Sequence, residues 1–81
     1  MKIRVRVFAV ARQLAGRSAI EVDLAEHARV AELRHALEGR FPELAPVISR
    51  SRFAVGSEFA DDGRPLAEEA EVAWIPPVSG G

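Results

Sequence analysis

The 81-residue chain is 48% hydrophobic and carries eleven Lys and Arg against twelve Asp and Glu, a formal net charge of −1. That length sustains one domain with one modest core, and the absence of cysteine excludes disulfides, thiolate metal sites and cysteine nucleophiles. The near-neutral balance gives no electrostatic case for a nucleic-acid or anionic-membrane partner. The opening MKIRVRVF alternates charge with apolar residues and has no uninterrupted apolar run, so neither a signal peptide nor a membrane span is expected and a cytoplasmic location is the default.

Lys2 to Phe8 reads as a period-two strand with Ile3, Val5 and Val7 on one face and Lys2, Arg4, Arg6 and Phe8 on the other, which places Phe8 on the wet side. After a linker ending at Gly16, Ala19 to Leu24 repeats the alternation. The two strands suit an antiparallel ribbon in which the basic side chains of the first oppose Glu21 and Asp23. From Val30 to Phe41 the period changes: Val30, Leu33, Leu37 and Phe41 make one apolar stripe at helical spacing. Its start in EHARV offers no Ser, Thr, Asp or Asn cap, and its end is marked by Gly39 and Phe41-Pro42. Pro42 to Ser51, with two prolines, reads as a connector. Arg52 to Val55, Ser57 to Ala60 and Glu71 to Ile75 are short strands separated by Gly56 and by Asp61-Asp62-Gly63. The order predicts an α+β fold, a mixed sheet of four to five strands with one main helix packed across it, the first and last strands being central neighbours as in the ubiquitin-like β-grasp. Residues 1–75 form that domain and 76–81 a flexible tail.

The common catalytic constellations are missing. His27 and His35 stand eight residues apart without further ligands and read as exposed polar positions. No serine sits in a nucleophile elbow, Asp61-Asp62-Gly63 fits a β-turn better than a cation loop, and no Gly-rich loop joins a strand to a helix. The segment that remains is IPPVSGG. Pro76-Pro77 ends the last strand and stiffens the exit into an extended direction. The six residues Pro76, Pro77, Val78, Ser79, Gly80 and Gly81 can span roughly 20 Å. Gly80 and Gly81 lack side chains, so the last peptide fits a narrow channel. A terminal carboxylate is a poor electrophile, but adenylation by an ATP-using partner would make it an acyl group open to a sulfur nucleophile. With no thiol in the chain, that acyl group is the one place for it to carry transferable sulfur.

Taken with RVFAVARQLAG, the helix, AVGSEF and EVAWIPPVSGG, this ending makes the chain resemble, over its full length, the MoaD/ThiS family of β-grasp sulfur carriers. PPVSGG favours the branch that serves as the small subunit of molybdopterin synthase. The resemblance implies that an adenylating, ubiquitin-activating-like enzyme activates Gly81, and that sulfur is installed as a thiocarboxylate. The tail then enters the large subunit of molybdopterin synthase and donates sulfur to cyclic pyranopterin monophosphate, two carriers per dithiolene. It implies no catalytic residue, metal or stably bound cofactor in the chain itself, the acyl-adenylate and thiocarboxylate being transient. Phe8, Phe59 and Ile75 fall on the family's apolar docking surface, and Arg12 on a basic position in its first loop. The sequence departs from the family at Gly56, often Asn, and at Glu69-Ala70, often Gly-Asp. Related carriers serve thiamine, cysteine or tungsten-cofactor routes, and some relatives are ubiquitin-like modifiers joined to lysines; a tail of this kind is common to all of them.

Overall fold

The computed structural model describes residues 1–8, 16 and 18–77. Alternation of β-branched and charged residues gives β1 (Lys2–Val7), whose odd-numbered side chains are all buried and even-numbered ones exposed, and β2 (Ala19–Asp23) alternates likewise with Ile20 and Val22 buried. They pair antiparallel, with Lys2 opposite Asp23 and Arg4 opposite Glu21 as the charge pattern predicts. Among the described residues the ion pair made by β1 nevertheless points the other way, from Arg6 to Glu71 of β5 (Glu71–Ile75) at 3.9 Å. Both side chains are more than half exposed, so it adds little stability.

Strands β3 (Arg52–Val55), β4 (Glu58–Ala60) and β5 complete a five-stranded sheet in the order β2-β1-β5-β3-β4. The first and last strands are central neighbours, paired parallel from Arg4 opposite Glu71 to Val7 opposite Trp74. The hairpin β3–β4 turns on Gly56 and Ser57, with Val55 opposite Glu58. Gly56 takes φ +63°, where a residue without Cβ is at no disadvantage. The strand predicted from Ser57 therefore begins one residue later, because Ser57 is spent in the turn.

Helix α1 (Val30–Arg40) packs Val30, Leu33 and Leu37 onto the inner face of the sheet, where Ile3, Val5, Phe53, Val72 and Trp74 are fully buried. Burial of each such side chain stabilises the fold by about 1.5–3 kcal/mol. The helix starts without a capping Ser, Thr, Asp or Asn, and another part of the chain supplies the acceptors. Val30 donates its backbone N–H to Arg64 O and Ala31 to Asp62 O, both at 3.0 Å, while Glu32 Oε1 accepts the N–H of Arg29. The turn at 61–64, itself held by the Gly63 N–H on Asp61 Oδ1, is thus a structural turn, as read, and also the cap of the helix. Gly39 lies inside the helix rather than ending it; the chain leaves helical geometry at Phe41.

The reading of a single helix followed by a connector is corrected here. A 3-10 turn (Pro42–Leu44) runs into a second short helix, α2 (Ala45–Arg50). Pro42 and Pro46 each occupy a first-turn position, where a missing N–H costs nothing and the fixed φ favours the helix. Leu44 and Ile48, four residues apart, are buried together. Arg34 ties this segment to α1: its Nη1 donates to Ile48 O at 2.7 Å and Ser51 O at 2.9 Å, and its Nε and Nη2 to Asp62 Oδ1 at 3.1 and 2.8 Å.

Candidate functional site: the outer face of the sheet and the tail exit

Every side chain turned from the helices lies on the outer face of the sheet, and most of that face is charged. One part is not. Along β5, Val72 and Trp74 are buried while Ala73 and Ile75 are half-buried on the outer side, as period-two alternation requires. Ala73 is opposite Ala54, Ala54 is opposite Phe59, and Ile75 is opposite Arg52. Phe8, one residue beyond the pair Val7–Trp74, continues β1 beside Ile75.

The result is a shallow apolar patch. Two small alanines form its floor, and Phe59 at 58% exposure and Phe8 at 43% stand at its sides, the large hydrophobic side chains most open to solvent among the described residues. Phe59 thus lies on the surface and outside the core. Two exposed phenylalanines beside a half-buried isoleucine make an apolar patch of the kind that marks interaction surfaces in other proteins. Two arginines frame it: the guanidinium carbon of Arg52 lies 3.9 Å from the centre of the Phe59 ring, and that of Arg6 lies 6.0 Å from the Phe8 ring.

The patch ends where β5 ends. Pro76 and Pro77 follow Ile75 directly and are half-buried, so the chain departs from the rim of the apolar surface. Val78, Ser79, Gly80 and Gly81 of the tail, and Arg12, lie outside the described residues.

The described residues offer little other chemistry. No group of three His, Asp or Glu side chains is placed to hold a metal ion among them, and His27 and His35 are exposed and separate. Ser51, the one buried polar residue among them, is fully engaged: its Oγ accepts from Trp74 Nε1 at 2.9 Å and donates to Val47 O at 2.7 Å. Arg52 and Ala54 were missed as parts of the surface by sequence reasoning. The signal was present in the alternation of β3, which turns Phe53 inward and its neighbours Arg52 and Ala54 outward. No helix among the described residues is long and apolar enough to cross a membrane.

Comparison with known proteins agrees with the geometry. A model of the ThiS family matches residues 5–81. The chain is 34% identical to the molybdopterin synthase sulfur carrier subunit of Chlamydomonas reinhardtii over 83 aligned positions that cover both chains in full. Among solved structures, SAMP1 from Haloferax volcanii superposes with a TM-score of 0.84 at 29% identity, covering 100% of each chain. The putative molybdopterin converting factor subunit 1 of Pyrococcus furiosus superposes at 0.85 with 28% identity, covering 96% of this chain and 99% of that one. With a ubiquitin-like β-grasp fold, an outer apolar patch and the family match running to its last residue, this chain belongs to the ThiS family.

Proposed function

We propose that this chain is a sulfur carrier, the small subunit of a molybdopterin synthase, with Gly81 as the working atom set and the outer patch as its docking face. The observation that carries the reading is the continuity of the two: β5 lies between β1 and β3, and its last residue, Ile75, belongs to the apolar patch and immediately precedes the Pro-Pro-Val-Ser-Gly-Gly segment. A partner that covers Phe8, Ile75 and Phe59 therefore has the tail delivered to it at a fixed place.

The chemistry belongs to the terminal carboxylate. An adenylating enzyme of the ubiquitin-activating kind joins it to AMP from ATP, releasing pyrophosphate. A sulfur nucleophile then displaces AMP, leaving a thiocarboxylate. In the large subunit of molybdopterin synthase the thiocarboxylate sulfur bonds to cyclic pyranopterin monophosphate, and water then cleaves the acyl–sulfur bond and regenerates the carboxylate, so two charged carriers supply one dithiolene. The carrier supplies docking and reach; the partners supply the catalytic groups. Arg12 stands next to this surface in the sequence-based reading, as a basic residue in the loop after β1. A cytoplasmic setting, with ATP at hand, suits the cycle.

The test is mass spectrometry of the protein purified from its host, where exchange of one oxygen for sulfur at Gly81 marks the carrier. Removal of Gly81 is expected to abolish sulfur transfer to the precursor and leave the fold intact; transfer that persists without Gly81 refutes the proposal. A second reading is favoured by the likeness to SAMP1, a small archaeal modifier protein: a modifier whose terminus is joined to lysines. It predicts branched Gly-Gly remnants on other proteins and no thiocarboxylate.

A further inference from the structure

Phe59 does not meet solvent as a bare ring. The guanidinium carbon of Arg52 lies over the ring, 3.9 Å from its centre, a cation against the negative face. No carboxylate lies within 4 Å of Arg52 among the described residues. Asp62, which lines the same hollow as Arg52 and Phe59, is already committed to Arg34 at 2.8 Å. The residues outside the description contain no Asp or Glu, and their one carboxylate, that of Gly81, is the group the carrier reading gives to the partner's active site. Arg6 differs, because Glu71 of its own sheet stands beside it at 3.9 Å.

Building on the carrier reading above, we infer that Arg52 is a docking residue whose counter-charge comes from the partner: the protein that covers Phe59 presents a carboxylate at the rim of the hollow that receives the ring. The reason is desolvation. A surface that buries the Phe59 ring also strips water from a guanidinium lying over it, and a dry, unpaired cation is strongly unfavourable. A carboxylate at the guanidinium edge, accepting two parallel N–H bonds, removes that cost and orients the interface. Position gives the pair a second use. Arg52 is directly opposite Ile75, so the ion pair forms beside the point where Pro76 leaves the sheet and sets the register of the docked face relative to the tail. A basic rim on a wrong partner is repelled at the same place.

The experiment measures binding of the full chain to the purified large subunit of molybdopterin synthase from the same cell, by calorimetry at low salt and at about 0.5 M salt. Arg52→Gln is expected to weaken binding about tenfold at low salt and to flatten its salt dependence, and Arg52→Glu to weaken it further. Reversal of one carboxylate on the large subunit to Arg is expected to rescue Arg52→Glu. Thermal melting of each variant, expected unchanged for so exposed a residue, separates folding from docking. If Arg52→Gln binds within twofold of wild type with the same salt dependence while Phe59→Ala loses affinity, the partner carboxylate is refuted and the docking face stands. If the unaltered chain does not bind the large subunit at all, it is the carrier reading that falls.

Discussion

The indole of Trp74 shows how much a single position carries. Its ring is fully buried against Phe41, 6.2 Å between centres, and its only polar atom is satisfied by Ser51 Oγ. Ser51→Ala leaves that N–H buried without an acceptor, an expected loss of about 1–3 kcal/mol in urea denaturation. The protein's one tryptophan gives the fluorescence signal to follow it. Glu69 is the opposite case, a residue the fold tolerates rather than requires. It takes φ +63° so that its N–H can reach Lys2 O at 2.8 Å, a conformation costing a residue with a Cβ about 1–2 kcal/mol. The family pattern puts glycine here, and Glu69→Gly is expected to raise stability by about 0.5 kcal/mol once the extra backbone entropy of glycine is deducted. The sequence flagged the departure at Glu69-Ala70; that the turn keeps its left-handed geometry with the wrong residue is visible only in the backbone. The outward phase of Phe8 was legible because strand alternation is strict. Alternation alone did not show the exposure of Phe59, since β4 is a three-residue edge strand in which both phases satisfy the pattern, and only the family resemblance placed it outside.

At the scale of elements, α1 is fastened mainly from outside itself. Arg34 reaches two carbonyls at the end of α2, lies 4.9 Å over the Phe53 ring, and holds Asp62 of the turn that caps the helix. Its side chain is 17% exposed, whereas Asp62 is 55% exposed. Arg34→Ala is therefore expected to cost about 2–4 kcal/mol, losing charged hydrogen bonds to buried carbonyls together with packing, and Asp62→Asn well under 1 kcal/mol, because the exposed carboxylate is the weaker half of the cluster. Comparison of the two by chemical denaturation checks which partner matters. This arrangement also explains what the helix looked like from its sequence. The apolar stripe of Val30, Leu33 and Leu37 announced the helix, but its cap is contributed by residues more than thirty positions away, a long-range fact with no local sign. The second helix was hidden for a local reason: two prolines that usually punctuate structure here open helical turns.

For the molecule as a whole, every core side chain among the described residues lies at or before Trp74. The domain and its tail are therefore expected to be separable energetically. Removal of residues 76–81 is expected to shift the free energy of unfolding by no more than about 0.5 kcal/mol, whereas Leu37→Ala, at the centre of the α1 contact, is expected to cost about 2–5 kcal/mol. Urea titration of both variants distinguishes a tail that merely projects from one that props up the fold. The central pairing of the first and last strands was legible because alternation located both strands and their order suggested the fold. The arginine frame of the patch was not, since it depends on which side chains the sheet sets opposite each other.

The parallel pairing of β1 with β5 has a mechanical consequence. A pull on the residues after Ile75, resisted at the start of β1, loads the ladder between the two strands lengthwise, so that its hydrogen bonds share the force instead of opening one after another. In the cycle proposed above, extraction of the tail from a partner's channel is expected to strain the interface before it unravels the carrier.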